Sequence, residues 1–180
     1  GHPLVTQSIP TAPRMARDLH NLLDHYGLEK VVVAGHSMGA LTLWQYLRDF
    51  GEERLSHLVI IDQSPRLLTD DTWKNGIYGD FDHHRNAAFI DALERDFAEA
   101  LLRLVAFGHN AKARAAYLDN TAGMVSARQR LQSLAPRPLI DCWASLSAAD
   151  YRDVLAGITL PALLVYGGAS NFYSTATARY

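Results

Sequence analysis

An open α/β fold built on a mostly parallel sheet is what this 180-residue sequence predicts, and three observations predict it. Val31-Val32-Val33 is a β-branched run that leads through a glycine-flanked turn into the helix-like stretch Ala40–Phe50. Leu58-Val59-Ile60-Ile61 and residues 161–166, Pro-Ala-Leu-Leu-Val-Tyr, are two further short apolar runs. Helix-periodic segments separate them, and strands alternating with helices pair in parallel through right-handed crossovers.

The first element reads as a helix, because Met15, Leu19, Leu22, Leu23 and Tyr26 recur at helical spacing. Thr11 suits its N-cap, Pro13 its first turn and Gly27 its stop. The Val31 strand follows. Behind it, Leu41, Leu43, Trp44 and Leu47 form the apolar stripe of a second helix that ends before Gly51. The continuous run from Leu58 to Ile61 reads as a strand covered on both faces. From Pro65 to Ala156 no strand-like run of comparable strength occurs. Asn86–Phe107 and Ala111–Leu134 are instead two long Ala-, Arg- and Leu-rich helical stretches, separated by Gly108 and Asn110. Residues 161–166 return to strand character.

Between the first strand and the second helix stands Gly35-His36-Ser37-Met38-Gly39, a Gly-x-Ser-x-Gly pentapeptide. A serine on a sharp strand-to-helix turn is exposed to a substrate. Flanking glycines let strand and helix approach closely while the serine holds a strained conformation. The helix N-terminus behind Ser37 places the Met38 N–H and a positive partial charge where an oxyanion forms. The pattern points to a serine nucleophile.

Gly35-His36-Ser37-Met38-Gly39 and its flanks resemble the nucleophile elbow of the α/β-hydrolase superfamily, and the resemblance covers most of the chain. It implies an α/β-hydrolase fold, with residues 1–64 and 157–180 as a partial core and 65–156 as an inserted helical cap. Trp73, Tyr78, Phe81, Phe89, Phe97 and Phe107, with Leu101 and Leu104, are the expected inner face of that cap. Most of these pack the cap itself, and Trp73, Tyr78 and Phe89 are the candidates for an apolar substrate pocket. In family members the residue at the place of His36 points into the sheet, so His36 is expected to be a packing residue.

The superfamily runs Ser, acid, His along the chain. Its acid commonly follows the strand after the cap, in a pattern like Gly-x-x-Asp. Here that segment reads Gly167-Gly168-Ala169-Ser170-Asn171, and no Asp or Glu occurs from Leu155 onward. Other members place the acid after the strand that follows the nucleophile helix, where this chain has Ile60-Ile61-Asp62-Gln63-Ser64-Pro65. Asp62 is thus the implied acid, at the carboxyl edge of the sheet where open α/β folds bind ligands. The alternative is that Asp62 only caps the Ser64-Pro65 turn.

The acid's task is to orient a histidine that takes the proton of Ser37. The eight histidines are His2, His20, His25, His36, His57, His83, His84 and His109, and none follows residue 109. The resemblance therefore places the triad histidine beyond Tyr180. Gly1-His2-Pro3 resembles the tail of the loop that precedes the first long helix, so the early strands and the second oxyanion donor also lie outside the sequence. On this reading the chain is an internal fragment and inactive alone.

A formal charge of −2, with 48% apolar and 20% charged residues, provides no basic field for nucleic acid or an anionic membrane. Lys112-Arg114 and Arg128-Arg130 read as a solvated face. The single Cys142, beside Trp143, reads as a buried thiol and fits a cytoplasmic protein. His83-His84 near Asp80 and Asp82 reads as a polar loop rather than a metal site. The glycines around Ser37 do not follow the dinucleotide pattern Gly-x-Gly-x-x-Gly.

The implied function is hydrolysis of a carboxylic ester or related acyl bond of a small apolar molecule, with no cofactor and no metal. Cofactor-free haloperoxidases, perhydrolases and carbon–carbon bond hydrolases share this elbow and stay open as alternatives. So do a small-molecule receptor on the same fold and a non-catalytic remnant.

Overall fold

The computed structural model describes residues 10–180, so Gly1-His2-Pro3 lies outside the described residues. Helix α1 (Ala12–His25) begins as its sequence indicates, with the Thr11 hydroxyl accepting from the Arg14 N–H and a proline in the first turn. Gly27 follows its end at φ +58°, a conformation that costs glycine little. Strand β1 (Val31–His36), helix α2 (Met38–Phe50) and strand β2 (Leu55–Ile61) come next. Strand β3 (Ala162–Val165) completes a parallel sheet of order β1-β2-β3. Ile61 is in register with both His36 and Val165, so the three strands end level with one another.

Helix α2 packs on strand β1 and against helix α1. Val33, Leu58 and Ile60 are buried there among Leu41, Trp44 and Tyr46 of α2. Each such side chain stabilises the fold by about 1.5–3 kcal/mol on burial. The other face differs from expectation. On β2, Val59 and Ile61 are only half-buried and His57 is exposed, while Val32 and all four residues of β3 are exposed. Among the described residues only one face of β1 and β2 is covered. His36 falls on the same side of β1 as Val32 and Ala34 and is exposed among the described residues.

Between β2 and β3 the chain forms a single 3₁₀ turn, Ile77–Gly79, and then helices α3 (His83–Arg95), α4 (Phe97–Ala106), α5 (Ala111–Leu118), α6 (Ala122–Gln132), α7 (Pro136–Ala148) and α8 (Arg152–Leu155). A last turn, α9 (Thr175–Ala178), follows β3. Each of the two long helices expected here is two helices. Asp96 leaves the helical region at φ −151° and caps α4 by accepting from the Glu99 N–H at 3.0 Å. Asn120 takes φ +45° between α5 and α6. A break of one to three residues barely disturbs a 3.6-residue apolar rhythm, so periodicity alone passes over both. Helix α7, which the sequence reading does not single out, buries Ile140, Cys142 and Leu146. It is tied to α1 where the Ala12 N–H donates to Ser145 Oγ at 3.1 Å. Among the described residues no helix is long and apolar enough to cross a membrane.

Candidate active site

Ser37 stands between β1 and α2 at φ +52°, ψ −119°. Such a conformation costs a non-glycine residue about 1–3 kcal/mol and persists only where the surroundings hold it. Here the Ser37 N–H donates to the Ile61 carbonyl at 3.2 Å, and the Ser37 carbonyl accepts from the Ala40 N–H at 2.8 Å. Gly35 permits the turn, since a Cβ there would lie 2.6 Å from the Ala40 nitrogen and the Gly39 carbonyl carbon. Gly39 is different. A Cβ on it meets nothing within 4 Å, so the expectation that both glycines are sterically required holds for Gly35 only. Met38 opens α2, and its N–H is one of the first-turn groups with no intrahelical acceptor.

Asp62 follows β2 directly, and its predecessor Ile61 pairs with His36, the predecessor of Ser37. The two residues thus occupy adjacent strand ends. Asp62 also has a positive φ, +48°, and its N–H donates to the Val165 carbonyl at 2.8 Å. Its two carboxylate oxygens are in different situations. Oδ2 accepts from the Ser170 hydroxyl at 2.8 Å, whereas Oδ1 is buried with no hydrogen-bond partner among the described residues. The Ser64-Pro65 turn is closed without Asp62, by Ser64 Oγ donating to the Arg66 carbonyl at 2.8 Å.

Ser170 is itself held, since its Oγ accepts from the Phe172 and Tyr173 N–H groups at 3.4 and 3.3 Å. Gln63, next to Asp62, is buried and donates from Nε2 to the Ser64 carbonyl and to Tyr173 Oη, at 2.9 and 2.8 Å. Tyr166 Oη donates to the Gln63 carbonyl, and burial pushes this phenol up to about 12. The carboxyl end of the sheet therefore carries one acidic side chain in a frame of neutral hydrogen-bonded groups.

A cavity of about 340 Å³ opens beside Ser37 and Met38, walled by apolar side chains of α2, α3, α4 and α7. Phe89 lines it, as expected from the sequence, together with Phe97, Leu101 and Leu104. Trp73 and Tyr78 do not. The Trp73 indole donates to the Arg66 carbonyl at 3.1 Å, and Tyr78 stacks on Phe172 with its hydroxyl on the Leu104 carbonyl. Both rings are engaged in structural contacts, and Phe107 lies exposed under Arg103 and Arg114. Sequence reasoning missed Trp143 and Cys142 as cavity residues. Trp143 donates from its indole to Asn86 Oδ1 at 2.8 Å and meets Phe89 edge to face, while Cys142 Sγ lies 3.7 Å from Met38 Sδ. The signal available was the 3.6-residue rhythm of Leu139, Cys142, Trp143 and Leu146.

His83 and His84 are exposed in the first turn of α3, where the Asp82 carboxylate accepts from the Arg85 N–H and Asp80 pairs with the Arg85 guanidinium. Among the described residues no group of three His, Cys, Asp or Glu side chains is placed to hold a metal ion.

Residues 6–174 match the family model described as the alpha/beta hydrolase fold. The 3-oxoadipate enol-lactonase 1 of Acinetobacter baylyi is 28% identical over 163 residues, covering 88% of this chain and 54% of that protein. The chain thus spans about half the length of this curated relative. Among solved structures, an esterase from Exiguobacterium antarcticum superposes with a TM-score of 0.77 at 20% identity, over 99% of this chain and 63% of the other. A bromoperoxidase from Bacillus anthracis does so with a TM-score of 0.76 at 21% identity, over 94% of this chain and 60% of the other.

Proposed function

The chain belongs to the alpha/beta hydrolase fold family, and on that premise we propose that it carries the nucleophile and the acid of a serine hydrolase acting on carboxylic esters. The observation that carries this reading is Ser37, held exposed at φ +52° beside an apolar cavity and one strand away from Asp62. Strain of this kind is kept at sites that use it.

In this mechanism Ser37 Oγ attacks the ester carbonyl while a histidine from outside these 180 residues takes its proton. The Met38 N–H stabilises the oxyanion of the tetrahedral intermediate, a contact worth about 10²–10³ in rate when such donors are removed. The histidine then protonates the leaving alcohol as the C–O bond breaks. Water, deprotonated by the same histidine, attacks the acyl-enzyme and releases the acid.

Asp62 serves as the third member. Its Oδ2 is occupied by Ser170, and its buried Oδ1 is the free acceptor for an imidazole N–H. A buried carboxylate oxygen without a donor costs stability, which the incoming N–H relieves. Helices α3–α7, within residues 65–156, act as the cap over the site. A lactone is a cyclic ester and asks the same chemistry of Ser37.

The test is hydrolysis of p-nitrophenyl butyrate by the full-length protein and by Ser37→Ala. The reading requires turnover that falls at least about 10³-fold in the variant. Turnover that survives the substitution would remove Ser37 as nucleophile.

A further inference from the structure

We propose that the cavity beside Ser37 is an acyl-chain site for uncharged chains of medium length, and that it rejects chains ending in a carboxylate. This rests on the serine-hydrolase reading above and narrows it to a substrate class.

The charge argument is the stronger one. Among the described residues, none of the side chains lining the cavity is an Arg, Lys, His, Asp or Glu. Away from Ser37 and the Met38 N–H, its polar side chains are already engaged. The Trp143 indole donates to Asn86, and Gln63 Nε2 donates to Tyr173 Oη and the Ser64 carbonyl. Burial pushes both the Cys142 thiol and the Tyr173 phenol up, so both stay neutral at physiological pH. A carboxylate entering this space would lose its water and find no cation, which is heavily unfavourable. An alkyl chain loses nothing and gains burial against Leu93, Leu101, Leu104 and Phe97.

Size sets the length. The cavity of about 340 Å³ lies at the small end of ligand sites. Leu134 and Leu139, which line it, are 47% and 38% exposed, so its apolar wall reaches the surface.

The experiment measures kcat/KM of the full-length protein on p-nitrophenyl esters from acetate to dodecanoate. It also compares the hexanoate ester with the mono-p-nitrophenyl ester of adipate, which has the same chain length and a terminal carboxylate. The expected profile rises by about fourfold per methylene up to about octanoate and then levels. The adipate ester is expected at least about 100-fold below hexanoate. Leu101→Arg, which puts a cation in the wall, should narrow that gap at least tenfold. Binding of methyl octanoate and of monomethyl suberate to Ser37→Ala, read by isothermal titration calorimetry, separates chain recognition from chemistry and should favour the neutral ligand. A flat profile, or equal rates for hexanoate and adipate esters, in a protein whose Ser37 reacts with a fluorophosphonate overturns the substrate class and leaves the serine hydrolase standing. No turnover and no labelling of Ser37 overturns the serine hydrolase and this proposal with it.

Discussion

Ser170 Oγ donates a 2.8 Å hydrogen bond to Asp62 Oδ2, joining the segments that follow β3 and β2 at the carboxyl edge of the sheet. Ser170 is the residue that the sequence resemblance sets where a carboxylate is commonly expected. A carboxylate at either residue therefore reaches nearly the same point in space.

That proximity predicts that the proposed acid can be moved from one residue to the other. Asp62→Asn should lower kcat/KM by two or more orders of magnitude, and the double variant Asp62→Asn/Ser170→Asp should recover part of the loss. Ser170→Asp alone should be worse than wild type, because it sets two carboxylates against each other and raises the pKa of one. Ester kinetics on the four proteins check the pattern.

The elbow glycines should separate cleanly. Gly35→Ala drives a methyl group into the backbone at Ala40 and Gly39 and is expected to cost at least about 2 kcal/mol. Gly39→Ala has open space and sits in the first turn of α2, so its stability should stay within about 0.5 kcal/mol or rise. Urea unfolding midpoints for the two variants give the comparison.

Asp150 provides a pH signature away from the site. Hydrogen bonds from the Arg152 guanidinium, Nε to Oδ1 at 2.9 Å and Nη2 to Oδ2 at 2.7 Å, hold its carboxyl below the ordinary range. A depressed folded value means that the pair stabilises the fold above the ordinary carboxylate range and stops doing so as pH falls through the folded value. The Tm of wild type should exceed that of Asp150→Asn at neutral pH, and the difference should shrink as pH falls below the ordinary carboxylate range. Thermal melts across that range check the sign.

Cys142 is 5% exposed and its thiol is pushed up by burial. Iodoacetamide should modify it at least about 100-fold more slowly in the native protein than in denaturant. Mass spectrometry of timed samples reads the ratio.

Much of this was legible in the sequence, for identifiable reasons. Strands β1, β2 and β3 announce themselves because short apolar runs in a parallel sheet contrast with the helices around them. The strained turn at Ser37 is legible because it needs glycine at position 35, and Asp62 draws attention because the segment after β3 carries Ser170 and no carboxylate. What escaped depends on tertiary placement. Val32 and Leu163 are as apolar as buried strand residues yet lie exposed among the described residues. Trp73 and Phe89 are equivalent aromatics by sequence, and only the fold sends one to the Arg66 carbonyl and the other to the cavity. Asp96 reads as an ordinary helix residue until its side chain is seen capping the next helix.

The most direct test of the central claim is the rate at which a fluorophosphonate labels Ser37 in the full-length wild type, in Ser37→Ala and in Asp62→Asn. The account expects one label per chain on the Ser37 peptide, none in Ser37→Ala, and a rate at least about 100-fold lower in Asp62→Asn. Labelling that persists in Ser37→Ala, or that is as fast in Asp62→Asn as in wild type, would contradict it.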